Sequence, residues 1–90
     1  MNVIDCLKKG SRNAVSRTEL SIMTGMSDRM VRREIGEYRD KGIMILNNGE
    51  GYFLYSGKKD DSYKNAYFAT EEARAKTIRN RLRKMRKNNA

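Results

Sequence analysis

The stretch Ser16-Arg17-Thr18-Glu19-Leu20-Ser21-Ile22-Met23-Thr24-Gly25-Met26-Ser27-Asp28-Arg29-Met30-Val31-Arg32-Arg33-Glu34-Ile35-Gly36-Glu37-Tyr38-Arg39-Asp40-Lys41-Gly42-Ile43 decides the fold. Ser16 and Glu19 have the spacing of a capping box, in which a serine oxygen accepts the third backbone N–H of a helix and the glutamate reaches back. The helix opened there turns Leu20, Met23 and Thr24 inward and stops at Gly25. Glycine adopts a positive φ without steric cost, and Ser27 caps a second helix after only Gly25-Met26-Ser27. Met26 is placed to plug the joint between the two helices. Helices joined this tightly cross rather than run back along each other.

The second helix is predicted from about Asp28 to Lys41, ending at Gly42. Val31, Ile35 and Tyr38 recur at i, i+4 and i+7 and form one buried stripe. Arg29, Arg32 and Arg33 fall off that stripe, in the first turn and a half. Downstream, Ile43-Met44-Ile45-Leu46 and Tyr52-Phe53-Leu54-Tyr55 flank Asn47-Asn48-Gly49-Glu50-Gly51, the signature of a β-hairpin. Upstream, Asn2 caps a short helix carrying Val3, Ile4 and Leu7, which stops at Gly10. Ser11-Arg12-Asn13 reads as loop, with a brief strand at Asn13-Ala14-Val15.

The order of helices, three-residue turn, helix and hairpin, together with Leu20, Gly25, Ser27, Arg29, Val31-Arg32-Arg33 and Gly42-Ile43, resembles winged helix-turn-helix domains of the biotin-repressor and DeoR-like kind. Several small phage and prophage proteins look similar. The resemblance covers residues 2–56. It implies duplex DNA binding with a helix in the major groove, Ser27, Asp28, Arg29, Arg32 and Arg33 facing DNA, and Leu20, Val31 and Ile35 holding the helices together. The hairpin tip carries Glu50 and no Lys or Arg, so any approach of the hairpin to DNA falls to the amides of Asn47 and Asn48. Some winged helices serve instead as protein-protein modules, and fold alone does not choose between the two.

Arginine's planar fork matches guanine O6 and N7 or a phosphate, which favours a DNA reading of Arg29, Arg32 and Arg33 over a merely solvated face. Ser27 is first a helix cap, and the N–H groups beside it can meet phosphate. Asp28 has two candidate roles: accepting from a cytosine amino group, or orienting Arg32.

Beyond the hairpin, Ser56–Asp61 reads as a polar loop and Thr70 as the cap of a last helix, from about Glu71 to Lys87. The expected organisation is a domain over 1–57, a connector over 58–69 and a basic C-terminal helix over 70–90, mainly α with a small β hairpin. The chain carries a net charge of +9 over 90 residues. Residues 1–61 hold 11 Lys/Arg against 9 Asp/Glu, whereas 62–90 hold 9 against 2. Such a field attracts polyanions, nucleic acid first and an anionic membrane surface second. Arg79, Arg81, Arg83, Lys84, Arg86 and Lys87 are candidate phosphate contacts.

In the same helix Ala75, Ile78, Leu82 and Met85 form a heptad-like seam of about two heptads. Its flanks, Arg74, Arg79, Arg81 and Arg86, oppose like charges in a parallel homodimer. Three readings of the segment stay open: packing on its own domain, contributing to a dimer supported by other contacts, or folding on nucleic acid or an acidic protein partner. Tyr63, Tyr67 and Phe68 are candidate anchors of the tail, and the aromatics as a whole read as structural.

No histidine is present, Cys6 is the single cysteine, and no Gly-x-x-x-x-Gly-Lys-Ser/Thr occurs. Imidazole catalysis, Cys-x-x-Cys metal sites and a phosphate loop are thereby excluded. A lone cysteine suits a reducing cytoplasm. No apolar run spans a bilayer and no signal-peptide layout opens the chain, so a membrane location is not expected. The expectation is a non-enzymatic DNA-binding protein without cofactor or metal, a transcriptional regulator or a phage replication or recombination accessory factor. The alternative is a winged-helix interaction module docking an acidic partner.

Overall fold

The computed structural model describes residues 1–88. Its elements are α1 (Val3–Cys6), α2 (Arg17–Thr24), α3 (Asp28–Asp40), β1 (Ile45–Asn47), β2 (Tyr52–Leu54) and α4 (Asp61–Asn88), with short 3-10 turns at Ser11–Asn13 and Lys58–Asp60. The fold is mainly helical with a small antiparallel hairpin, as expected.

Both caps in the decisive stretch form. Ser16 Oγ accepts from the Glu19 N–H at 3.1 Å, and Ser27 Oγ accepts from the Met30 N–H at 3.2 Å. The return bond of the first cap differs from expectation: the Ser16 hydroxyl donates to Glu19 Oε1 at 3.3 Å. Gly25 closes α2 in the left-handed region at φ +74°. The turn is reinforced by Ser21 Oγ, which donates to the Met26 carbonyl. Met26 packs on the core from this turn. Met23 departs from expectation. It is 45 % exposed, and Leu20 alone of this helix is fully buried. An eight-residue helix offers only about two turns, and one large side chain fills its core-facing side.

The core beneath the helices joins Val3, Cys6, Leu7, Val15, Leu20, Val31, Ile35 and Ile45. Glu34 of α3 ties α1 in place, accepting the Val3 N–H at 2.8 Å. The hairpin pairs Ile45 with Leu54, Leu46 with Phe53 and Asn47 with Tyr52. Val15 pairs along the other edge of β2, exchanging two 2.8 Å backbone bonds with Tyr52. The approach is so close that a Cβ on Gly51 would lie 2.6 Å from the Val15 carbonyl carbon. Successive strand residues face opposite sides. Ile45 therefore joins the helical core while Leu46 and Phe53 point away from it, yet both are fully buried.

What covers them is α4, which corrects the expected boundary. The helix begins at Asp61, and Thr70 is mid-helix, its hydroxyl donating to the Ala66 carbonyl at 2.9 Å. Residues 58–69 are therefore a 3-10 turn and the first turns of α4, not a connector. Tyr63 meets Phe53 edge-on at 5.6 Å, and Tyr67 lies under the Arg39 guanidinium at 4.7 Å. Tyr63 and Tyr67 anchor the helix, whereas Phe68 touches Tyr67 but stays 43 % exposed. The expected polar loop is built around a buried carboxylate: Asp60 accepts both the N–H and the hydroxyl of Ser56 at 2.8 Å.

Every side chain from Phe68 to Lys87 is exposed. Of the three readings open for the seam, packing on its own domain is not the one observed, with Ile78 at 53 % and Leu82 at 45 % exposure. A helix of 28 residues is about 42 Å long, and the hairpin it lies on is far shorter, so its second half overhangs. The radius of gyration, 16.0 Å, exceeds the ~12 Å of a compact chain of this length for the same reason. Residues 89 and 90 of the expected tail lie outside the described residues.

Candidate nucleic-acid interface

α3 separates its faces sharply. Val31 and Ile35 are buried, and Tyr38 is half-buried with its hydroxyl donating to Glu34 at 3.4 Å. Burial and the Glu34 carboxylate push the Tyr38 phenol above its ordinary pKa. With that side fixed, Arg29, Arg32 and Arg33 have only the outward side left, and all three are exposed. Gly36 lies among them one turn on, with open space where a Cβ would project.

Two of the three arginines are held by neighbours. Arg32 pairs with Asp28 at 3.0 Å, and Arg33 with Glu37 at 3.3 Å. Arg29 has no ion-pair partner among the described residues. The guanidinium-bearing side chains of Arg32 and Arg33 are 58 % and 72 % exposed, so these pairs are weak and exchangeable for an external anion. Of the two roles open for Asp28, the geometry matches the orienting one.

Asp28 also pairs with Arg17, at 3.3 Å. Arg17 is the first residue of α2, and sequence reasoning passed over it. Ser16, Arg17, Thr18, Asp28, Asn47, Glu50 and Tyr52 border one open polar cleft between the starts of α2 and α3 and the hairpin tip. The signal for Arg17 was its place one residue after the Ser16 cap, at the positive end of a helix. Which of the two following helix starts it would face depends on packing.

The hairpin asparagines are divided. Asn48 is committed to the fold: its amide nitrogen donates to the Ser11 carbonyl at 3.0 Å, and its Oδ1 accepts the N–H groups of Glu50 and Gly51 at 2.9 and 3.1 Å. Asn47 is exposed, borders the cleft and accepts the Gly49 N–H at 2.6 Å through Oδ1. Of the two hairpin candidates, Asn47 is the one placed to meet a ligand. Arg39 is structural, donating twice to the Ile45 carbonyl, at 3.0 and 2.7 Å.

Arg79, Arg81, Arg83, Lys84, Arg86 and Lys87 are all exposed on the overhanging half of α4, away from the α3 arginines in sequence and element. At the root of that helix the Tyr55 hydroxyl donates to Asp61 at 2.6 Å, and Lys64 pairs with Asp61 at 3.3 Å. The hydrogen bond from Tyr55 holds the Asp61 carboxyl below its ordinary pKa, and the same bond holds the Tyr55 phenol above its own. Lys64 is held up in turn by Asp61. These groups fasten α4; they do not line the cleft.

Among the described residues no cluster of His, Cys, Asp or Glu could hold a metal ion, and no helix is long and apolar enough to cross a membrane. In comparisons with known protein families, curated proteins and solved structures, the chain matches none.

Proposed function

We propose that the protein binds duplex DNA in the manner of a winged helix-turn-helix domain, with the first turns of α3 in the major groove. The observation that carries this reading is the exposed arginine face of α3. Arg29, Arg32 and Arg33 are all exposed off the Val31–Ile35 stripe, Arg32 on its flank and Arg29 and Arg33 farther round, at the helix's positive end, with the side-chain-free Gly36 between them. Arg17 and Asn47 border the same region and serve as phosphate or groove-edge contacts. The α3 face supplies selectivity, and the basic half of α4 adds long-range attraction to the polyanion. A transcriptional regulator and a replication or recombination accessory factor of a phage both use such a module.

Selection from a random duplex pool tests the reading, and a short enriched site is the expected outcome. An arginine that reads a base should, on change to Ala, cost ~1–3 kcal/mol and relax one position of that site. Equal loss on every sequence would assign it to phosphate instead. Failure to enrich any site, at low and at high salt, would reject sequence-specific binding. Truncation after Thr70 should flatten the salt dependence by ~0.9 in log–log slope for each phosphate that α4 no longer neutralises.

A further inference from the structure

The overhanging half of α4 carries a feature that DNA binding leaves unused. Ala75, Ile78, Leu82 and Met85 fall within a stripe about 80° wide at 3.6 residues per turn, and all are exposed. In heptad terms they occupy a, d, a and d. The positions bordering the stripe, e and g, are Arg74 and Arg81 on one side and Arg79 and Arg86 on the other. Arg74 is balanced by Glu71 at 3.3 Å; beyond Glu72 the sequence holds no acid.

We propose that this seam is one half of a heterotypic coiled coil, and that its occupant is an acidic amphipathic helix of another protein, apolar at a and d and carrying Glu or Asp at e and g. Two properties select this occupant. A strict a/d stripe is the narrow face a partner helix covers, whereas the apolar face of a helix lying on a membrane is broader. Four arginines along both borders call for carboxylates on the partner. A second copy of the chain fails in either orientation. A parallel pair sets g against e and an antiparallel pair sets g against g and e against e, so arginine meets arginine each time. Phosphates satisfy the arginines but leave Ile78 and Leu82 in water.

The inference is independent of what α3 binds. It is tested with the full-length chain and a synthetic three-heptad peptide having leucine and isoleucine at a and d and glutamate at e and g. The control is a scrambled peptide of identical composition. The expected result is 1:1 binding of the heptad peptide, weakened by salt, with added helical circular dichroism. Ile78→Asn and Leu82→Asn should each weaken it roughly tenfold or more while the unfolding midpoint of the free protein stays put, because both side chains are already exposed. Equal binding of the scrambled peptide, or indifference to both substitutions, would overturn the proposal in favour of charge attraction alone. Self-association of the chain without peptide would assign the seam to a second copy. Binding to phosphatidylserine vesicles that Leu82→Asn abolishes, with no peptide binding, would assign it to a membrane.

Discussion

Tyr63 meets Phe53 edge-on, with ring centroids 5.6 Å apart and planes at 80°. Through this contact the start of α4 roofs the outer face of the hairpin, so the helix is part of the fold before it is a basic tail. Tyr63→Ala should destabilise the protein by about 1–3 kcal/mol, combining lost burial with the ring-pair contribution. Truncation after Thr70 should leave the urea midpoint nearly unchanged, whereas truncation before Asp61 uncovers Leu46 and Phe53 and should abolish cooperative unfolding.

Gly51 has no room for a methyl group. Its Cβ would meet the Val15 backbone at 2.6 Å and 2.7 Å, and backbone cannot swing aside as a side chain can. Gly51→Ala should cost roughly 1–3 kcal/mol by forcing Val15 off Tyr52. Loss of slow amide exchange at Val15 and Tyr52, the two residues that bond across this gap, is the accompanying signature.

Gly36 presents the opposite case. It sits mid-helix with open space where a Cβ would project, so glycine costs the helix stability there without being required by a close approach. Gly36→Ala should raise stability by ~0.5–1 kcal/mol in chemical denaturation. A bulky replacement such as Gly36→Gln should leave folding intact and weaken duplex DNA binding, since it fills the gap between the arginines.

Asp28 joins Arg17 and Arg32, all roughly half-exposed, so Asp28→Asn should alter stability by less than ~1 kcal/mol. Its effect on binding should be larger. Releasing Arg17 and Arg32 and removing a negative charge should strengthen binding to random duplex and narrow its margin over the selected site. Competition gel shifts with both duplexes measure that ratio.

The Tyr55–Asp61–Lys64 group makes stability depend on pH at both ends. The folded pKa of Asp61 lies below its unfolded value, so its contribution is present above the unfolded value and is lost as pH falls toward the folded one. Tyr55 and Lys64 are raised, so theirs is present below their unfolded values and is lost as pH rises through the folded ones. Tyr55→Phe should therefore flatten the fall of Tm on acidification below about pH 5 and on alkalinisation above about pH 9, as thermal melts across pH would show.

Local chemistry made much of this molecule legible. Ser16, Gly25 and Ser27 act on atoms a few residues away, so their spacing alone positions α2 and α3, and the 3.6-residue period of Val31 and Ile35 leaves one side for the arginines. The hairpin followed in the same way from its Asn/Gly turn. By itself the sequence thus determined α2 and α3, the hairpin and the outward face of α3. Only the tertiary structure decided what depends on distant partners: that Met23 stays in solvent, that Asn48 is spent on the Ser11 carbonyl, that Arg17 reaches Asp28, and that α4 starts at Asp61. The last was hidden because Leu46 and Phe53 need a cover no local pattern names. Thr70 also reads as a cap until the turns before it are seen packed on the hairpin. Periodicity records that a face is apolar; which surface comes to meet it is settled where the chain folds back, and for Ile78 and Leu82 nothing within the described chain does.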